Sequence, residues 1–276
     1  MSEDPRILLQ TQGLSISFGG LNAVNDVSLA LREGIVTTLV GPNGAGKTTL
    51  FNLITGQLRA SHGDVLWQGK SIRNMPAWKI PRAGIGRTFQ DLKLFDEMTV
   101  FENVLAVTER RAWLWQQGGT HGAKGRREQA ERALEIVGLS AHRHARAMDL
   151  AYAERKFLSI ARILSAGSKL WLLDEPASGL DPSSYERFLS VLREQVNNGI
   201  TICIIEHNLD VIRAADHIID IGPGAGTDGG KITFTGTPEQ LANQDSPSGK
   251  ALAPPNKQKK TKPTPFQISN FKSQIS

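Results

Sequence analysis

The chain has 276 residues, Lys+Arg 32 against Asp+Glu 27 for a formal net charge of +5, and 39% hydrophobic residues. With glycine added, that apolar share is the share of an ordinary globular domain, which excludes a wholly disordered chain and a fibre. No run approaches the ~18 apolar residues that span a bilayer.

The opening MSEDPRILLQ has no basic stretch followed by a long apolar one, so a secretory signal is not expected. Residues 7–40 read as strands: LNAVNDVSLAL alternates apolar and polar residues, and IVTTLV has the β-branched pattern of a buried strand. The segment that follows, Gly41-Pro42-Asn43-Gly44-Ala45-Gly46-Lys47-Thr48, fulfils G-x-x-x-x-G-K-[ST] at every position. It lies between a strand and a helix through TTLFNLITG that stops at Gly56. Glycines there let backbone N–H groups turn toward phosphate oxygens, and the helix start adds the positive end of its dipole. Lys47 can neutralise the β and γ phosphates, and the Thr48 hydroxyl can ligate Mg²⁺.

GDVLWQGK reads as a strand entering a turn, Pro76 to Pro81 as a brief helix, and GIGRTFQ as a further strand ending at Gln90, an amide suited to orienting water near Mg²⁺. From about residue 92 to 165 strand patterns give way to helical spacing in FENVLAVTERRAWLW, REQAERALEIVGL and RKFLSIARIL, with GGTHGAKG (118–125) as a flexible link. Then β and α alternate again: KLWLLD, SSYERFLSVLREQVNN, ITICII, NLDVIRAA and HIIDI. That alternation predicts a parallel sheet covered by helices. The lone cysteine, Cys203, falls within the apolar TICII; it excludes a disulfide framework and a cysteine-rich zinc site and reads as a buried, inert thiol.

KLWLLDEP ends a buried strand in two carboxylates, beyond which ligands bind in open α/β sheets. Asp174 is placed to hold Mg²⁺ directly or through water, and Glu175 to polarise an attacking water. ICIIEHN repeats the arrangement at Glu206 and His207, and His207 is read as a γ-phosphate contact, although a lone histidine is more often structural. IDIGPGAGTDGGKI is a glycine-rich loop before a last strand. Residues 244–276, rich in Lys, Pro, Ser and Gln, carry the whole +5, so the body is neutral and no basic face for nucleic acid is expected. This tail reads as a disordered solubilising extension, with contact to anionic lipid or RNA as the other reading.

The phosphate loop, Gln90, LLDEP and His207, in that order, resemble the ATP-binding cassette (ABC) ATPases over roughly residues 7–243. SFGGLNAVNDVSL, RTFQDLKLFDEMTVFENV and the AY of LAYAE are similar to the LivG-type ATPases of branched-chain amino-acid importers. The resemblance implies an α/β P-loop NTPase fold with a mainly parallel core sheet, an antiparallel β subdomain and an inserted helical subdomain at about 92–165. It implies that ATP and Mg²⁺ are held by residues 41–48 and Thr49, with Thr48, Gln90 and Asp174 at the metal. Glu175 is then the general base, His207 the γ-phosphate contact, and Phe18 the ring stacked on adenine. Ser178-Gly179-Leu180-Asp181 matches the D-loop, which gives Asp181 a nucleotide-site role.

The signature L-S-G-G-Q reads here Leu150-Ala151-Tyr152-Ala153-Glu154. The serine hydroxyl and both glycines are absent, although a tyrosine at the first glycine is common in LivG-type proteins. A half-site that binds ATP across a dimer but hydrolyses it more slowly is expected, with ordinary hydrolysis through backbone donors as the alternative. The resemblance further implies membrane permease subunits, a second cassette subunit (identical or not), a solute-binding protein indirectly, and a place on the inner face of the cell membrane. The permease is expected to meet Gln90 and LKLFDEMTV, with Leu92, Leu94, Phe95 and Met98. Other readings are a soluble ABC ATPase acting on nucleic acid or ribosomes, and the ATPase of an exporter or lipid transporter.

Overall fold

The computed structural model describes residues 6–112, 119–222, 224 and 229–253. The chain forms two compact units, one from the residues up to Pro76 and from Arg193 onward, the other from Ala77–Leu192.

In the first unit, β1 (Ile7–Phe18), β2 (Leu21–Val27), β3 (Ala30–Arg32), β4 (Val36–Val40), α1 (Lys47–Ile54), β5 (His62–Trp67) and β6 (Lys70–Ser71) follow in order. Strand β1 pairs antiparallel with β2, β3 and β5, and β5 with β6. This sheet buries one face: Leu9, Leu14, Val24 and Val65 are each at most 2% exposed. Strand β4, VTTLV, is buried at every residue, as a parallel strand covered on both sides must be.

The second unit holds α2 (Ile80–Ala83), β7 (Ile85–Arg87), α3 (Val100–Ala112), α4 (Gly119–Ile136), α5 (Tyr152–Ser165) and β8 (Leu170–Asp174), and it takes in most of α6 (Pro182–Asn197). Strands β7 and β8 are parallel, with Arg87 opposite Leu172. Helices α3, α4 and α5 pack on one another. Ala130, Ala133 and Leu134 give α4 one buried stripe, which Val137 continues just past its end, whereas α5 is buried on nearly all sides from Lys156 to Ile163.

The first unit resumes with β9 (Thr201–Ile205), α7 (Leu209–Ala214), β10 (His217–Gly222), β11 (Lys231–Gly236), α8 (Pro238–Ala242) and α9 (Pro247–Leu252). Strands β10, β4 and β9 are parallel neighbours, with Leu39 between Ile219 and Ile205. Strand β11 closes that edge antiparallel to β10. Among the described residues no helix is long and apolar enough to cross a membrane.

Three expectations are corrected. The brief helix falls at Ile80–Ala83 rather than from Pro76, because Gly84, at φ 104°, closes it and Pro81 sits in its first turn, where a missing N–H costs nothing. The supposed link at 118–125 is helical from Gly119, since the strongly helical stretch after it carries the glycines along. Residue 118 itself lies outside the described residues. The tail does not lose structure at 244: Ser246 caps α9 by accepting from the Gly249 amide at 3.0 Å, and Leu252, 5% exposed, joins Val40, Ile212, Ile218 and Leu241 in one apolar cluster. Residues 254–276, and 223 and 225–228 of the glycine-rich loop, are outside the described residues.

Candidate functional site

Strand β4 delivers the phosphate loop. Gly41, Gly44 and Gly46 take φ values of 139°, 80° and 95°, which other residues rarely adopt. Space demands glycine as well: a Cβ at Gly41 would collide with the Ile221 carbonyl of β10, and one at Gly46 with the Ala23 carbonyl of β2. Lys47 opens α1 and is only 6% exposed; its Nζ donates to the carbonyls of Gly41 at 2.7 Å and Pro42 at 2.9 Å. The loop carries its ammonium at its centre, while Thr48 faces solvent.

The neighbouring parallel strand β9 ends at the same level. Glu206, 4% exposed, accepts the His207 amide at 3.0 Å and the Asn208 amide at 3.2 Å, so its carboxylate shapes the turn that leaves His207 exposed. The structure thus brings residues 41–48 and His207 to the ends of adjacent strands. Phe18, 49% exposed, ends β1 in the hairpin whose second strand lies against Gly46. Its open ring face suits stacking on a base.

In the second unit Gln90, Asp174, Glu175, Tyr152, Lys156 and Ser178 line one cavity of about 230 Å³. Asp174 ends β8 with its side chain 2% exposed, its amide donating to the Thr88 hydroxyl oxygen at 3.1 Å. Arg87, which sequence reading passed over, reaches the Asp174 carboxylate at 3.4 Å with its own side chain only 5% exposed. Burial lowers the Arg87 pKa, and the Asp174 charge opposes that. An arginine always carries its charge, so a fixed positive guanidinium faces this carboxylate. Glu175 follows at φ 46°, a left-handed conformation rare outside glycine.

Ala151 precedes α5 in an extended conformation, and the Glu154 carboxylate accepts its amide at 2.9 Å. Alanine has no oxygen with which to return the bond, so this is half of a capping box. Tyr152 is 52% exposed. Asp181 accepts the amides of Ser183 and Ser184 at 3.0 and 3.1 Å and the Ser184 hydroxyl; these bonds, the hydroxyl first, hold its pKa at about 2.

The segment before α3 is also built, not loose. Asn103, fully buried, accepts the Phe95 amide at 2.9 Å and donates to the carbonyls of Phe95, Met98 and Thr99. Arg155 and Arg162 of α5 hold Asp96 and the Lys93 carbonyl at 2.6 Å each. Phe95 and Met98 stay 45% and 41% exposed. Asn103 carries no motif signal; its role shows only once the chain has turned back on it. Cys203 is buried, which pushes its thiol pKa up to about 12, an inert group.

Among the described residues no three His, Cys, Asp or Glu side chains cluster as a metal cage. The Asp174 carboxylate and the Gln90 amide, which share the cavity at the end of β8, are oxygen donors of the kind Mg²⁺ takes one or two of, filling the rest of its shell with phosphate and water.

Comparison with known proteins bears on this arrangement. The family described as ABC transporter matches residues 24–178. The chain is 36% identical over 253 residues to the high-affinity branched-chain amino acid transport ATP-binding protein BraF of Pseudomonas aeruginosa, covering 88% of this chain and 95% of that protein. It is 38% identical over 245 residues to LivG of Salmonella typhimurium, which bears the same description, covering 86% and 94%. The crystal structure of an ABC transporter's ATP-binding cassette in its ADP conformation superposes with a TM-score of 0.71 at 32% identity, over 85% of this chain and 92% of that one. With a complete phosphate loop, acidic strand end and cassette fold in one chain, the protein belongs to the ABC transporter family as an ATP-binding, ATP-hydrolysing subunit.

Proposed function

We propose that this subunit powers a membrane permease that imports branched-chain amino acids or related amides and small acids. Residues 7–243 form the ATPase, with its helical part at about 92–165. One observation carries the nucleotide assignment: the phosphate loop requires glycine at Gly41 and Gly46 on steric grounds and holds a buried lysine at its centre. The names of the relatives, branched-chain amino acid transport proteins, support the solute class.

Amides of residues 41–48 and the ammonium of Lys47 bind the phosphates, Thr49 adds a contact, and Phe18 stacks on adenine. The oxygens of Thr48, Asp174 and Gln90 hold Mg²⁺, which when bound offsets charge on the phosphoryl oxygens. Glu175 takes the proton of the attacking water and Gln90 orients that water. His207 touches the γ phosphate. The start of α5, Ala151 to Glu154, and Asp181 face the nucleotide of a second cassette subunit. Since Ala151 offers no hydroxyl, that contact rests on backbone amides, and hydrolysis at this half-site is slower. Phe95 and Met98, held outward by the Asn103 and Arg162 scaffold, meet the permease on the inner face of the membrane.

The test is reconstitution in liposomes with a cognate permease and solute-binding protein. Leucine, isoleucine or valine should raise ATP hydrolysis and enter the vesicle. Hydrolysis indifferent to every amino acid would overturn the importer reading.

A further inference from the structure

The Glu175 main chain stands in the left-handed region at φ 46°. A non-glycine residue held there costs about 1–3 kcal/mol and persists only where its surroundings impose it. The imposing group comes from α5. Lys156, only 6% exposed, donates through Nζ to the Glu175 carbonyl at 3.0 Å and to the Ser178 carbonyl at closer range. The Glu175 carbonyl also accepts the Ser178 amide at 3.3 Å, so one ammonium closes both ends of the 175–178 turn. Each partner holds the other: a buried ammonium is costly without acceptors, and the turn's carbonyls lose a charged donor without it. One helical turn earlier, Tyr152 lays its ring 5.2 Å from the same ammonium. Its edge lies against Gly179, where a Cβ would stand 3.0 Å from the ring.

We propose that Lys156 is a positioning residue for hydrolysis: it fixes the backbone of the general base, and so the direction of the Glu175 carboxylate, from the helix that begins at the signature segment. A shift of the first turn of α5 is thereby passed to the base of the same subunit through Lys156 and Tyr152. The inference rests on Glu175 being the base. It adds an internal link by which the segment facing one nucleotide adjusts hydrolysis of another.

The test uses the full chain assembled with its permease, comparing wild type, Lys156→Met, Lys156→Arg, Glu175→Gln and the double variant Lys156→Met/Glu175→Gln. Lys156→Met should lower kcat by about 100-fold, the cost of displacing a reacting group by about 1 Å. MgATP affinity should stay within about twofold, because the carbonyls that Lys156 holds belong to the 175–178 turn and the proposed role is to aim the base, not to bind phosphate. Lys156→Arg keeps a charged donor at the edge of a cavity with room for it and should recover most of the rate. In the Glu175→Gln background Lys156→Met should change the residual rate by less than about twofold, because a residue acting through the base has nothing left to position. A multiplicative loss in the double variant, or a wild-type rate in Lys156→Met, overturns the positioning role. Should Lys156→Met fail to fold, Lys156→Gln, which loses the charge and keeps much of the length, takes its place with the same split: kcat lost at unchanged affinity in the Glu175 background only supports the role, and a wild-type rate or a loss of affinity overturns it. Full turnover in Glu175→Gln would instead remove the base itself, a separate result that takes the proposal down with it.

Discussion

The phosphate loop and the signature segment both lead into helices, yet they are built on opposite terms. In the first, three glycines adopt left-handed conformations, and two of them leave no room for a Cβ beside neighbouring strands. In the second, the residue before α5 has φ −61° and ψ 157°, ordinary for any amino acid, and Ala151, Tyr152 and Ala153 occupy it without a positive φ. The loop is dictated by its own fold, so its letters cannot vary. No such constraint acts on the backbone that opens α5, so its letters can change while its amides stay put. A glycine in the first position is structural; one in the second is at most a matter of approach distance.

The contrast breaks most sharply at Lys47. Lys47→Ala removes the cation at the centre of the loop and leaves two carbonyls without their charged donor. MgATP affinity should fall by about 100-fold or more, equivalent to about 3 kcal/mol, in equilibrium titration. Affinity within a factor of about three of wild type would show that the loop is not the phosphate site.

Gly46→Ala is next. The new methyl meets the Ala23 carbonyl in a conformation alanine resists, so unfolding stability should drop by about 2–4 kcal/mol and nucleotide binding with it. The counterpart in the other region, Ala153→Gly, should cost no more than about 1 kcal/mol, the price of glycine in a helix. Denaturant melts of the two variants side by side measure the contrast directly; equal losses would erase it.

A smaller effect tests the wall of the phosphate loop. Asp220 on β10 is 5% exposed, and burial raises its pKa, while bonds from Ser248 and Thr233 and the charge of Lys47 pull it back. A carboxyl with a raised folded pKa favours the folded state more as it becomes protonated. Its penalty is therefore full at neutral pH and fades as pH falls through the folded value toward the unfolded one. Asp220→Asn should gain most relative to wild type at neutral pH and lose that advantage in acid. A gain independent of pH would mean the charge is not the cause.

The same distinction explains what could be read before the structure. The mostly apolar strands β4, β8 and β9, each ending in or followed by glycine or acidic residues, announced the sheet and its functional edge, because a strand buried on both faces leaves little choice of residue. The C-terminal helix α9 was hidden by the Lys-rich stretch after it, although Ser246 followed by Pro247 is a helix-start pair that the sequence displays. Arg87 and Lys156 were not legible at all. A charged letter reads as solvent-facing, and only the tertiary arrangement shows a carboxylate waiting for one and two carbonyls for the other.

The subtlest test lies in the signature segment. Combining Ala151→Ser with Ala153→Gly restores a hydroxyl and a bare backbone before and inside the first turn of α5. One added hydrogen bond to a phosphate oxygen is worth about 1–1.5 kcal/mol, or roughly tenfold. Part of it is spent on the glycine, which weakens the helix by up to about 1 kcal/mol. The net expectation is a few-fold rise in ATP hydrolysis by the assembled transporter, with MgATP affinity of the isolated subunit unchanged, since the segment is proposed to serve a second subunit's nucleotide. A hydrolysis rate that does not move would mean the amides of α5 already do all the work there. The slower half-site would then have to be given up, and the alanines would be neutral drift on an anion-binding helix.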